Sequence, residues 1–162
     1  MKSLDMKSKY GLIFTFLFVV AAHATAGEEV RIDLHAVPGD IMERARKLMP
    51  EAIYKSANTE AEADGLVYEI QGLLADGRKL EVDIAESGKV EEVEVEFTHD
   101  LVPAAVLNAV EEAYPDLTVT FIEASHSESK KVVGYEFVGQ QNGKQIDLDV
   151  SADGRKIAVA DD

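Results

Sequence analysis

The sequence lacks the residues on which several kinds of protein chemistry depend. Among its 162 residues there is no cysteine and no tryptophan, and there are only four prolines. The absence of cysteine excludes a disulfide scaffold, a thiolate metal site and a cysteine nucleophile. Basic residues are also scarce, with 16 Lys and Arg against 31 Asp and Glu, so the formal net charge is −15. Because nucleic-acid binding needs a basic surface, this balance argues against a nucleic-acid partner.

The first 26 residues have the pattern of a cleaved signal peptide. Three lysines precede an apolar run at residues 11–22, and Ala24 and Ala26 supply the small residues that a signal peptidase recognises. The apolar run is short for a segment that spans about 30 Å of hydrocarbon, which disfavours an uncleaved anchor. We therefore expect residues 1–26 to be removed, and the remaining chain to be periplasmic or secreted without a membrane anchor.

The chain that follows the predicted signal peptide contains an internal repeat. Residues 76–84 resemble residues 142–150, and Val37-Pro38 recurs as Val102-Pro103, with further short matches in the same order. Several matches in one order indicate a tandem duplication. We predict a first repeat over residues 27–99 and a second over residues 100–162.

Each predicted repeat contains one short helix and several strands. Prolines border the helices, with Pro38 and Pro50 around the first and Pro103 and Pro115 around the second. Alternation of apolar and polar residues, as over residues 80–84, indicates half-buried strands, and Asp-Gly and Asn-Gly pairs between strands indicate antiparallel hairpins. The predicted fold class is α+β, with two tandem repeats that each pack a short helix on one face of a three- to four-stranded antiparallel sheet.

A series of short motifs marks the second predicted repeat. A Tyr-Pro-Asp sequence (114–116) ends the helix, and Tyr-Glu-Phe (135–137), Ile-Asp-Leu-Asp-Val (146–150) and Asp-Gly-Arg-Lys-Ile (153–157) follow in order. This order resembles the PepSY-like domains of secreted bacterial proteins, including a group described as β-lactamase-inhibitor-like. Residues 37–97 fit the same pattern more loosely. The resemblance implies a non-catalytic periplasmic module that binds or restrains other proteins.

The sequence contains no recognisable catalytic or metal centre. His126 lies in a predicted polar hairpin loop (123–131), and no histidine has a nucleophile motif at a suitable spacing. The alternating acids that begin at Asp147 resemble a calcium loop, but Ala152 and Ala158 occupy the positions that require glycine and an acid. We therefore predict a protein that is not an enzyme, uses no cofactor and has no dedicated metal site.

The most informative chemical feature is a group of acidic side chains on the first predicted sheet. Strand alternation directs them away from the core and places them on adjacent strands. Like charges opposite one another in an antiparallel pair cost about 0.2–1 kcal/mol each. Such a face is either a solvated surface that keeps the strands soluble or a surface that receives a partner. The candidate partner-binding residues are Glu69, Glu81, Asp83, Glu92, Glu94 and Glu96.

Two functions remain open at this stage. The first is a secreted or periplasmic binding module that inhibits or modulates a partner, such as a peptidase or a cell-envelope protein, through an exposed sheet face. Its ligand is then a secreted or periplasmic protein or a cationic peptide. The second is a periplasmic protein whose clustered carboxylates bind or buffer divalent cations weakly.

Overall fold

The computed structural model describes residues 29–63 and 65–160, so the predicted signal peptide (1–26) lies outside the described residues. In this part of the chain, nine strands form one antiparallel sheet in which each strand pairs only with its neighbours in sequence. Within the same residues, no helix has the length and apolar character needed to cross a membrane.

Two short α-helices interrupt the series of strands. Strand β1 precedes the first helix, and strand β5 precedes the second. The elements of the first half are β1 (Val30–Ile32), α1 (Gly39–Leu48), β2 (Ile53–Glu62), β3 (Gly65–Leu73), β4 (Lys79–Ala85) and β5 (Val90–Glu96). Those of the second half are α2 (Ala104–Ala113), β6 (Thr118–His126), β7 (Val132–Gln141), β8 (Lys144–Ser151) and β9 (Ile157–Val159).

The predicted fold class is wrong, because the strands form one sheet rather than two. The prediction assigned a separate three- to four-stranded sheet to each repeat and described the whole as α+β. Instead, β5 pairs with β6 from Val93 and His126 to Glu96 and Glu123, which makes the described chain a single, largely β sheet. Pairing on both sides of β5 satisfies backbone groups that separate sheets would leave along an open edge. The predicted repeat boundary at residues 99 and 100 stays a prediction.

The positions of both helices follow from the flanking prolines, as the sequence predicts. Helix α1 begins directly after Pro38, and α2 begins directly after Pro103. A proline at the start of a helix costs no hydrogen bond, because the first N–H groups have no partner inside the helix. Each helix ends two residues before the next proline, whose ring disfavours helical geometry in the residue before it.

Both helices pack on the same face of the sheet. Helix α1 covers an apolar cluster that includes Ile70 and Val82, and α2 covers a second cluster that includes Phe137. Val95 of the first cluster and Ala124 of the second are register partners on β5 and β6, so their side chains share one face. We call this side the helix-bearing face and the opposite side the helix-free face.

Two strand glycines allow the sheet to bend at equivalent places. A Cβ atom on Gly72 would lie 2.8 Å from the carbonyl oxygen of Ile53, and one on Gly139 would lie 2.7 Å from that of Thr118. Each glycine pairs next to a shift in strand register, one in β2 and one in β6. Such bulges bend the strand and increase its twist. The close approach at these bends therefore requires glycine.

Candidate functional site

The helix-free face brings the six predicted acidic residues together. Glu69 on β3 is the register partner of Asp83 on β4. Asp83 also faces Glu92 on β5, and Glu81 faces Glu94 one step along the same strand pair. Glu96 follows on β5. Their neighbours in sequence belong to the apolar cluster under α1, so the acids point to the opposite side.

The acidic residues continue beyond the strands on which the sequence predicted them. Glu96 pairs with Glu123 on β6, Glu123 with Glu136 on β7, and Glu136 with Asp149 on β8. Sequence reasoning missed Glu123 because it assigned residues 123–131 to a loop, whereas β6 extends to His126. The alternation of Ile122 and Ala124 with Glu123 and Ser125 was the signal that could have found this strand. We define the acidic row as Glu69, Glu81, Asp83, Glu92, Glu94, Glu96, Glu123 and Glu136.

Most of the acidic row is buried, although the sequence predicted an exposed face. The exposed fractions are only 2% for Glu94, 4% for Glu136, 6% for Glu69, 8% for Glu123 and 9% for Asp83. Both α-helices of the described chain lie on the other face. The acidic side chains are therefore shielded by the side chains of neighbouring strands rather than extended into water.

Burial and mutual repulsion make these carboxyl groups weak acids. Burial is the main cause in each case, and neighbouring carboxylates add to it. Together they raise the pKa of Glu69 to about 8, that of Glu123 to about 7 and that of Glu136 to about 9. The pKa values of Asp83 and Glu94 are raised well above their ordinary values for the same reasons. At neutral pH the row consequently holds protons that ordinary surface carboxylates would have lost.

Two oxygens of the acidic row have no hydrogen-bond partner within the described residues. They are Asp83 Oδ1 and Glu94 Oε1, and both are buried. One basic side chain lies near the row. Lys79 lowers the pKa of Glu123, but burial has the larger effect and raises it. The ammonium group of Lys79 also lies 4.8 Å from the centre of the Phe121 ring. Buried polar atoms without partners are rare in folded proteins, so these two oxygens set the centre of the row apart from an ordinary sheet surface.

The acidic row has no preformed metal centre. Across residues 29–63 and 65–160, no group of three or more His, Cys, Asp or Glu side chains is arranged to hold a metal ion. Calcium requires six to eight oxygen ligands at about 2.3–2.6 Å. Carboxylates that follow one another across a sheet do not by themselves converge in this way.

His126 lies on the helix-bearing face and not in the predicted loop. It is the last residue of β6, and its ring lies 5.8 Å from that of Phe97 between ring centres. Burial lowers the pKa of His126. With Phe97, Leu48 and Arg78 it lines a groove of about 260 Å³ between the two apolar clusters. The groove and the acidic row are therefore on opposite faces.

A known protein family matches the part of the chain that contains most of the acidic row. The PepSY family, described as peptidase propeptide and YPEB domain, matches residues 38–94. These residues run from α1 into β5 and contain Glu69, Asp83 and Glu94. The match lies in the first half, which the sequence motifs fit more loosely than the second. No curated protein matches the chain.

Three solved structures from Bacteroides are similar to this one. A BLIP-like protein from Bacteroides fragilis is 25% identical, with a TM-score of 0.58 over 77% of this chain and 89% of that chain. A DUF2874 family protein from Bacteroides uniformis is 15% identical, with a TM-score of 0.60 over 76% and 89%. Another from Bacteroides ovatus is 16% identical, with a TM-score of 0.58 over 75% and 86%. The predicted resemblance to PepSY-like proteins of the β-lactamase-inhibitor-like group is therefore confirmed.

Proposed function

We propose that the protein is a secreted or periplasmic, non-catalytic module that binds a partner protein through the acidic row and inhibits or modulates it. The PepSY match and the similarity to a BLIP-like protein fit a binding or inhibitor-like role. The family description includes peptidase propeptides, which makes a peptidase a reasonable partner. A cell-envelope protein is the other partner class. The signal-peptide pattern at residues 1–26 supports export.

The observation that carries this proposal is the burial of Asp83 and Glu94, each with a carboxyl oxygen that has no hydrogen-bond partner among the described residues. A row that served only to solubilise the sheet would keep its carboxylates in water, because burial of a charged group is costly. A basic protein surface or a cationic peptide would supply both positive charge and hydrogen-bond donors to the row. A basic partner would therefore supply the donors that these two buried oxygens lack in the isolated protein.

Capture from a periplasmic extract at low salt tests this function. The bait is the chain from Gly27 onward, compared with a variant that carries Glu92→Gln, Glu94→Gln and Glu96→Gln. We expect the wild-type protein to retain a partner that the variant loses, and raised salt to release that partner because screening weakens charge attraction. Cross-links between the partner and strands β3–β6 would locate the contact.

The matched control carries Glu51→Gln, Glu111→Gln and Glu112→Gln. These three residues are exposed and lie outside the acidic row, so the control has the same change in charge. Equal capture by all three proteins would contradict the proposed function. Calorimetric titration with Ca²⁺ and Mg²⁺ tests the alternative of a cation-binding protein, for which the described residues offer no preformed site.

A further inference from the structure

We infer that Asp83 and Glu94 anchor the proposed interface by receiving one guanidinium or ammonium group of the partner, and that this cation displaces protons held by the acidic row. The inference rests on the proposed function and goes further in two respects. It names the chemical group that is bound, and it links binding to pH.

The β4–β5 pair carries four acidic residues side by side on the helix-free face. Asp83 is directly opposite Glu92, and Glu81 is directly opposite Glu94. Asp83 and Glu94 are thus diagonal neighbours on the same face of an antiparallel pair. Diagonal neighbours are about 7–8 Å apart along the backbone, so one long side chain can insert between them once the side chains that cover them move aside.

The two anchor residues lack the donors that such a cation would supply. Asp83 Oδ1 and Glu94 Oε1 are buried and have no hydrogen-bond partner among the described residues, and both residues are more than nine-tenths buried. A guanidinium group has five N–H donors and an ammonium group has three. Hydrogen bonds between such cations and carboxylates are about twice as strong as neutral ones. An arginine or lysine side chain therefore satisfies both oxygens and the excess charge together.

The charged groups that face the anchor residues from neighbouring strands are acidic. Glu60 on β2, Glu69 on β3, Glu81 on β4 and Glu92 on β5 act on Asp83, and Glu81, Glu92, Asp83 and Glu123 act on Glu94. Ser125, a neutral residue, is the register partner of Glu94 on β6. The side chain of Lys79 acts on Glu123 at the edge of this group. In the free protein, protons on the carboxyl groups relieve this repulsion.

An incoming cation takes over the role of those protons. The carboxylic O–H groups release protons to the solvent as the positive side chain enters, and the ionised oxygens then accept its N–H groups. Raising the pH favours this exchange, because fewer protons have to be displaced. Affinity therefore increases with pH until the free row has lost its protons, by about tenfold per pH unit for each proton released.

A metal ion fits this position less well than a cationic side chain. No three potential metal-binding side chains of the described residues converge there. Metal coordination requires oxygens at about 2.0–2.6 Å. A guanidinium group instead bridges acceptors through hydrogen bonds of about 2.7–3.2 Å, which suits carboxyl groups spaced along and across two strands.

Calorimetry with a small cationic probe tests the inference. The probe is the acetylated and amidated peptide Thr-Arg-Thr-Arg-Thr, and the control probe has citrulline in place of both arginines. Titrations at pH 7 use phosphate and Tris buffers, whose protonation enthalpies differ, so proton release appears as a difference in heat. We expect binding of the arginine probe alone, a clear difference between the buffers, and affinity that increases about tenfold from pH 6.5 to pH 7.5.

The corresponding variant carries Asp83→Asn and Glu94→Gln, which preserve shape and remove charge. We expect it to lose at least about tenfold in affinity for the probe together with the buffer difference, since two charged partners are absent. A control with Glu111→Gln and Glu112→Gln should retain both the affinity for the probe and the difference between the buffers. Circular dichroism confirms that each variant folds, and the buffer comparison on the wild-type protein stands even if the double variant does not.

The outcomes separate this inference from the proposed function. Probe binding without a buffer difference would overturn proton displacement and leave the capture experiment unaffected. No probe binding, combined with capture that depends on Glu92, Glu94 and Glu96, would overturn the anchor and keep the proposed function. Competition by Ca²⁺ at similar concentrations, with the same proton release, would overturn the assignment to a cationic side chain.

Discussion

The helix-bearing and helix-free faces belong to the same strands, and both are buried at their centres, but burial has opposite consequences on the two sides. Ile70 and Phe137 are 0% exposed under the helices, whereas Glu94 and Glu136 are 2% and 4% exposed on the other side. Removing apolar surface from water stabilises the fold, and removing carboxylates from water destabilises it. The helix-bearing face therefore stabilises the fold, whereas the helix-free face holds buried carboxyl groups that reduce its stability.

The largest expected effect comes from opening the helix-bearing face at Phe137. Phe137→Ala should lower the free energy of unfolding by about 3–5 kcal/mol, because it leaves a cavity in the cluster under α2. Urea denaturation at pH 7 measures the change. Val133→Ala on the same strand is the matched control, since Val133 is 48% exposed and its truncation should change stability by less than about 0.5 kcal/mol. Similar losses in both variants would contradict the assignment of stability to this face.

Neutralising one buried carboxyl group should act in the opposite direction. The pKa of Glu136 is about 9 in the folded protein against an ordinary 4.5. The folded protein therefore holds a proton that the unfolded chain releases, so stability falls as the pH rises from about 4.5 to about 9. Glu136→Gln should raise the free energy of unfolding at pH 8 by on the order of 2 kcal/mol and leave it unchanged at pH 4.

The pH dependence distinguishes this effect from a general change in packing. Urea denaturation of wild type and Glu136→Gln at pH 4, 6 and 8 should give curves that diverge as the pH rises. Glu111→Gln, which removes one exposed charge from α2, should follow the wild-type curve. A Glu136→Gln variant that is less stable than wild type at pH 8 would show that the ionised carboxylate is satisfied in the fold.

The smallest expected effect concerns the attachment of α1 to the sheet. The Tyr54 hydroxyl donates a hydrogen bond of 2.7 Å to the carbonyl oxygen of Ala45, which joins β2 to the helix. Tyr54→Phe should lower the free energy of unfolding by about 1 kcal/mol, the usual net value of one such bond. Tyr68→Phe is the control, because the Tyr68 hydroxyl has no protein partner among the described residues. Equal effects in urea denaturation would assign no stability to the bond.

The sequence predicted the local elements better than their assembly. Prolines located both helices, and alternation located β4, β5 and β8. The pairing of β5 with β6 could not be predicted, because alternation specifies which face of a strand is apolar and does not specify which strand edges meet. The assumption of separate sheets then hid the continuation of the acidic row from Glu96 to Glu123 and Glu136.

The sequence also predicted the direction of the acidic side chains but not their burial. Alternation places Glu81 and Asp83 opposite the core whatever surrounds them. Whether such residues are exposed depends on how closely the side chains of adjacent strands pack around them, which is a property of the assembled sheet. The face on which Asp83 lies therefore follows from its strand alone, whereas its exposure of only 9% follows from the packing of the whole sheet.

The order of the strands also affects how the chain folds. Each strand pairs only with the strands before and after it, so the sheet can form by successive addition of strands, through hairpins except where α1 and α2 form the connections. Contacts that are close in sequence require less loop closure, and proteins rich in them fold faster than β proteins whose strands pair across long crossovers. We expect this chain to fold quickly for a nine-stranded sheet. Among the described strands, the edges of β2–β8 are then exposed only briefly, whereas β1 and β9 each keep one unpaired edge in the finished sheet.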